Sequence, residues 1–476
     1  MARLLAAWFV LLLAPLGQAQ PAPPWRHGPL KVSSNGRFLE TADGKPFFWM
    51  GDTAWRLLQR LTREEAVRYL DVRRAKGFNV IQVMIANQPG EKNVYGAPAF
   101  VDGDPGKPLT AARPGEPDYW DHLDFVLAQA AQRGIYLALL PAWCSLAKSA
   151  LNLSNAPAYI RFLTSRYRNH PNIIWVNGGD CRGSDFPELW KLIGMALKRG
   201  DPDRLITYHP FGGTSSSMWF HDEPWLDFNM FQSGHRRYDQ VREEQRAFWK
   251  GEDGWRFVEE DLARTPPKPT LDAEPIYESI PQGLHDPREP YWDETHVRRY
   301  AYWAVFAGAC GHTYGHNAVM QMHKAEAGRG AYGVRETWDA ALDAPGARQV
   351  PYLKRLILSR PAAERIPDQS LIAGRNGERY ERVIATRGRS YAFFYTFTGR
   401  PFQVRMGVIS GRAVRAWWFD PRTGEALPAG RRPNRGVSAF TPPGVPGPGN
   451  DWVLVLDDAA ARTGPPGAPA DARSAR

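Results

Sequence analysis

Between about residue 45 and residue 320, short apolar runs alternate with longer stretches of helical period, the pattern of repeated βα units on a parallel sheet. The run Phe47-Phe48-Trp49-Met50, leading into Gly51-Asp52-Thr53, is the first expected strand. Thr62 and Glu65 form a capping box that opens the next helix, and Gly77 stops it. Further strands are expected at 79–85, 135–143, 173–176, 205–209, 228–232, 269–274 and 311–317. A helix from Asp118 places Trp120, Leu123, Leu127 and Ala130 on one face and ends at Gly134; another follows Asn155, and a third spans about 294–309. Eight continuous apolar strands at this spacing predict an α/β fold, a closed (β/α)8 TIM barrel over about residues 30–355. An open doubly wound sheet is the alternative architecture.

After residue 360 the period changes to two. Runs at 391–395, 416–420 and 452–456 read as strands, and Asp420-Pro421-Arg422-Thr423-Gly424 is a turn. A small antiparallel β-sandwich is expected over 360–458. The Ala-, Pro-, Gly- and Arg-rich stretch 459–476 is expected to be disordered. At the other end, Arg3, the apolar run 4–13 and Gly17-Gln18-Ala19 have the form of a signal peptide, residues 1–19, cleaved after Ala19. That run is too short to span a bilayer, so a secreted or periplasmic protein without a membrane span is expected.

Composition adds three constraints. The chain is 43% hydrophobic and 23% charged, a globular profile, and its 18 Trp serve either a core or the stacking of flat ligands such as sugar rings. The net charge of +10 comes mainly from Arg scattered along the chain, not from basic runs interleaved with aromatics. Nucleic-acid binding is therefore not expected; a solvated surface is, or attraction to an acidic polysaccharide. Cys144, Cys181 and Cys310 each lie beside an apolar run, so buried thiols are expected, with one internal disulfide left open.

In such a barrel the reactive groups lie where strands end and βα loops begin. Those positions hold Asp52, Asp180 and Glu274, with Trp143, Asn177, His209, Gln232, His235, Tyr277, His312, Tyr314 and Asn317 around them. Carboxylates on strands four and seven face each other across a barrel mouth, the pairing that glycosidic cleavage needs. Asp180 also reads as a loop or N-cap carboxylate and Asp52 as a cap of the first loop, while Asp272, the other candidate for the active group on that strand, reads as one layer deeper or paired with an Arg. His312 and His316 are four apart on a strand, and no HExxH is present, so neither a metal nor a cofactor is expected. GxSxG, Walker and GxGxxG signatures do not accompany the strands.

Several stretches together resemble the apiosidase-like glycoside hydrolases, whose barrel is followed by a collagen-binding-type β-sandwich. They are residues 48–55, 174–180, 206–210, 225–235, 272–278 and 311–316, within a similarity that covers about residues 35–455. The resemblance implies a (β/α)8 fold and removal of a terminal sugar, apiose in the characterised branch, from pectin side chains. It places the general acid at Asp180 and the second carboxylate at Glu274. Many related barrel glycosidases carry a Glu directly after an Asn on strand four, whereas here Asp180 lies three residues beyond Asn177. Retention, at a carboxyl separation of roughly 5 Å, and inversion, at roughly 6.5–9.5 Å, both stay open. The expectation is an exo-acting monomeric glycosidase with an oligosaccharide or polysaccharide substrate. The alternative is a non-catalytic carbohydrate- or matrix-binding protein.

Overall fold

The computed structural model describes residues 23–110, 117–245 and 247–468. The expected signal peptide and the segment 469–476 lie outside them.

Eight parallel strands form the barrel: β1 (Trp49–Thr53), β2 (Val80–Met84), β3 (Tyr136–Leu140), β4 (Ile173–Cys181), β5 (Ile206–Pro210), β6 (Asn229–Gln232), β7 (Thr270–Asp272) and β8 (Gly311–Tyr314). They run in the order β5-β4-β3-β2-β1-β8-β7-β6. Gly51 stands opposite Val80, Val80 opposite Tyr136, Trp175 opposite Ile206 and Gly311 opposite Trp49. Asp227 closes the seam between β5 and β6. Its N–H donates to the Ile206 carbonyl (2.9 Å), and its carboxylate accepts the Ile206 N–H (2.7 Å). Almost every strand residue is buried, as a sheet covered on both faces requires.

The intervening helices include α1 (Arg63–Lys76), α2 (Tyr119–Gln132), α3 (Ala156–Tyr167), α4 (Pro187–Gly200), α5 (Trp255–Leu262), α6 (Glu294–Phe306) and α7 (Pro351–Leu358). The Thr62/Glu65 box caps α1, Gly77 ends it, and Asp118 with Asp121 forms a second box on α2. Among the described residues no helix is long and apolar enough to cross a membrane.

The second unit is antiparallel. Its strands are β9 (Val383–Arg387), β10 (Tyr391–Thr396), β11 (Phe402–Arg405), β12 (Ala413–Phe419), β13 (Ala426–Pro433), β14 (Val437–Phe440) and β15 (Trp452–Asp458). One sheet carries β9-β10-β15-β12-β13 and the other β11-β14. Helix α6 packs the sandwich to the barrel. Tyr302 stacks on Tyr395 at 4.8 Å, and the Arg298 guanidinium holds the buried Asp451 carboxylate through two bonds of 2.7 and 2.9 Å.

Two expectations are corrected here. Residues 459–468 do not form a loose tail: Arg355 and Arg360 donate to the Gly467 and Gly464 carbonyls (3.1 Å each), and Pro466 is buried. A Pro- and Gly-rich composition lacks the periodicity that would reveal such docking. Cys144 and Cys181 are not free buried thiols but a disulfide, because the segment after β3 and the end of β4 bring their Cα atoms to 5.1 Å. Cys310 remains a buried thiol, pushed up to about 12 by burial.

Candidate active site

The end of β4 is built around two glycines. Asn177-Gly178-Gly179-Asp180 turns with φ of 74° at Gly178, 139° at Gly179 and 53° at Asp180. A Cβ on Gly178 would stand 2.5 Å from the Tyr208 ring, and one on Gly179 would stand 2.8 Å from Trp143. The pairing with β5 is consequently irregular between Gly178 and Cys181, and this bulge turns Asp180 towards the barrel mouth. Asn177 holds the turn from beneath, donating to the Trp190 carbonyl (2.7 Å) and accepting the Gly178 N–H (2.9 Å). Asp180 is no N-cap, since α4 begins only at Pro187. Substituting Ala at Gly178 should cost roughly 2 kcal/mol or more from the left-handed backbone and the ring contact, and should lower turnover by displacing Asp180. Unfolding and turnover measured together would show whether both move.

Glu274 stands two residues past the end of β7, facing two imidazoles. His235 Nε2 lies 3.3 Å from Oε1, and His209 Nε2 lies 3.4 Å from Oε2. Each ring accepts a backbone N–H at Nδ1, His209 from Asp180 and His235 from Tyr277, both at 3.4 Å. A neutral imidazole that accepts at Nδ1 carries its proton on Nε2, so both rings aim an N–H at the carboxylate.

The two carboxyls are driven apart in acidity. Burial, reinforced by the negative charge of Glu274, raises Asp180 to about 6, against an opposing pull from His209, His235 and a hydrogen bond from Gln232. Burial alone would also raise Glu274. The hydrogen bonds from His209 and His235, with their positive potential, outweigh it and bring Glu274 down to about 2. At mildly acidic pH one group is a proton donor and the other an anion. Deleting His235 or His209 removes a donor to the charged form, worth about 1.5–3 kcal/mol in such bonds. The acid limb of the kcat/KM profile should then move up by about one pH unit or more. An acid limb that stays in place in both variants would refute this role.

Asp180 and Glu274 line a cavity of about 270 Å³ together with Gln232, His235, Trp143 and Tyr277. Trp55 packs edge-on to Trp143 (5.0 Å) and to His209 (5.2 Å), and its indole N–H donates to the Tyr277 hydroxyl (3.0 Å). The other expected site residues stay outside the cavity. Asp52 is fully buried beside Arg73 and Tyr69. Tyr314 donates to Glu278 (2.5 Å), and Asn177 points back to α4. His312 is sealed in the barrel, pushed down to about 3 by burial. It forms no pair with His316, whose Nε2 faces Glu336 at 3.3 Å. Asp272 lies one layer below Glu274 and accepts the Ser233 hydroxyl (2.5 Å). Asn317 acts indirectly, donating to the Tyr332 carbonyl (2.8 Å) in the loop that brings Tyr332 into the wall.

Sequence reasoning missed Trp55, Arg236, Trp249 and Tyr332, all of which line the cavity. Trp55 lay within the stretch 48–55 that carried the resemblance and was open to discovery there. Trp249 and Tyr332 come from long irregular loops, where no periodicity marks a wall residue. Among the described residues, the one His/Cys/carboxylate cluster with metal-like spacing is Cys144, Cys181 and Asp185, and both its sulfurs are already bonded to each other.

The model of the "Apiosidase-like, catalytic domain" matches residues 33–364, and that of the "Putative collagen-binding domain of a collagenase" matches residues 366–457. A solved structure described as a glycoside hydrolase is 45% identical, with a TM-score of 0.89 over 92% of this chain and 99% of its own. A glycoside hydrolase family 5 structure from Bacteroides vulgatus ATCC 8482 is 43% identical, with a TM-score of 0.90 over 94% of this chain and 98% of its own. No curated protein matches the chain. With a family model covering the whole barrel and these two structures alike over nearly their full lengths, the chain belongs to the apiosidase-like glycoside hydrolases and is a glycosidase.

Proposed function

We propose that the enzyme is exo-acting and removes a terminal sugar, apiose or one like it, from pectic glycans of the plant cell wall. The observation that carries the chemistry is the opposed acidity of Asp180 and Glu274 within one aromatic-walled cavity. Asp180, protonated, donates to the glycosidic oxygen of the leaving group. Glu274, ionised, attacks the anomeric carbon or takes a proton from the attacking water. Gln232, His235, Trp143 and Tyr277 supply hydrogen bonds and stacking to the sugar. A cavity of about 270 Å³ lies just below the usual span of ligand sites, about 300–1,000 Å³. That size fits one terminal ring, and the adjoining cavity of about 470 Å³, which shares Trp55, Trp143, Met320 and Tyr332, has room for the residues of the glycan that follow it.

The test is sugar release from pectic oligosaccharides by the wild type beside Glu274→Gln. The expected result is one monosaccharide from the wild type and none from the variant. Release of internal oligosaccharides would overturn the exo reading, and silence across a broad pectic panel would overturn the choice of substrate.

Export is part of the same proposal, with the leader removed after Ala19. The Cys144–Cys181 disulfide supports it, since such bonds persist in oxidising compartments. Mass spectrometry of the mature N-terminus should find Gln20 first; an intact Met1 would refute processing.

A further inference from the structure

The positive charge of the chain is concentrated in a way its sequence order conceals. Residues 382–419 and 426–450 contain no Asp or Glu. Some of their arginines reach carboxylates elsewhere, as Arg387 reaches Asp368 and Arg400 reaches Glu381. Arg405, Arg412, Arg431, Arg432 and Arg435 do not. All five are exposed, and none has a carboxylate within 4.0 Å among the described residues. The Arg432 guanidinium donates only to the Arg431 carbonyl (3.0 Å), which neutralises nothing. Asp458, which reaches this end of the sandwich, is engaged by the Ser410 hydroxyl (2.7 Å) and the Ala460 N–H (2.9 Å).

The fold brings the backbones of these five to one end of the sandwich. Arg405 stands opposite Val437 in the β11–β14 pair, and Arg431 and Arg432 stand opposite Arg415 and Val414 in the β12–β13 pair. The buried Asn434 staples the two sheet ends together. Its side chain accepts the Gly407 N–H (2.7 Å) and donates to the Ile409 and Gly411 carbonyls (2.8 Å each), and its own N–H donates to the Arg412 carbonyl (3.0 Å). Like charges brought to one end of the domain without counter-charges give that end a positive potential, which an anion would relieve. Planar guanidinium groups suit carboxylate and sulfate in particular.

We infer that this arginine rim of the sandwich binds an anionic polysaccharide and holds the enzyme on its polymer while the barrel cavity works on chain ends. The glycan partner follows from membership of a glycosidase family, not from which sugar is released. Nucleic acid is disfavoured because the large exposed hydrophobics of the sandwich, Val408, Leu427, Val437 and Val445, are all aliphatic, and base stacking needs aromatic rings.

Affinity electrophoresis of the full chain in gels containing polygalacturonate, a sulfated galactan or a neutral galactan tests this. Retardation is expected in one or both charged gels and not in the neutral one, and the stronger of the two identifies the acidic group. The triple variant Arg405→Gln, Arg432→Gln, Arg435→Gln should weaken it by about tenfold, as should raising the salt from low to physiological. Unchanged turnover of a small soluble glycoside would show that the variant is folded and its cavity intact. Equal retardation in the neutral gel, undiminished binding by the triple variant, or tighter binding to duplex DNA than to either charged glycan would overturn the inference.

Discussion

Glu274→Gln is expected to lower turnover by about a thousandfold or more with the fold intact, because the amide neither attacks an anomeric carbon nor takes a proton from water. Glu274 is held as an anion by N–H groups whose geometry is already set by backbone donors on the far side of each ring. A neutral isostere keeps the packing and loses the charge. Asp180→Asn is expected to fail differently. A substrate with an acidic phenol as leaving group needs little protonation, so its deficit should shrink on such a substrate while that of Glu274→Gln does not. For the wild type, kcat/KM should fall as pH rises through about 6, where Asp180 loses its proton. It should fall again at the acid end, where Glu274 gains one below the ordinary carboxylate range. The two limbs belong to the interacting pair. A profile flat from mildly acidic to neutral pH, or equal deficits of the two variants on both substrate types, would refute the assignment of acid and anion.

Asp52→Asn should be the most damaging single change to stability, costing about 3–5 kcal/mol, the usual penalty for stranding one partner of a buried ion pair. Asp52 receives the Arg73 guanidinium and the Tyr69 hydroxyl, each at 2.5 Å, with no exposure of either charged side chain. Arg73 is anchored further by the Leu342 carbonyl (3.1 Å) and by the rings of Phe78 and Tyr314 (5.3 and 5.9 Å), so it has no way out to water. The Asn variant leaves that guanidinium charged and uncompensated. Chemical denaturation gives the loss directly, and kcat/KM per folded molecule should stay near the wild-type value. A variant that unfolds like the wild type yet turns over poorly would put Asp52 back at the substrate.

The contrast between Asp52 and Glu274 marks how far pattern alone reaches. Both stand at the mouth end of apolar strands, and strand position alone does not separate them. Asp52 is followed 21 residues later by an arginine whose helical position carries it back under the barrel, a relation of tertiary distance and not of spacing. His312 and Tyr314 fail for the same reason: a strand end is necessary for a place in the site, but which neighbour covers it is decided by elements far along the chain. Gln232 reaches the cavity from the end of β6, and His235 and Tyr277 reach it from the loops after β6 and β7.

The sequence by itself determined the architecture and placed Asp180 and Glu274 at strand ends as the candidate carboxylate pair. Apolar runs of strand length, caps such as Thr62 and Asp118, and the Gly178-Gly179 pair are local signals, and local signals survive in one dimension. Family resemblance added the roles that we propose for Asp180 and Glu274. The tertiary structure alone decided the rest: the tautomers of His209 and His235, the opposed acidities, the disulfide, the docking of residues 459–468 and the arginine rim. Each depends on groups tens to hundreds of residues apart meeting within a few ångströms, and burial and Coulomb interaction act on that distance, which spacing along the chain does not encode.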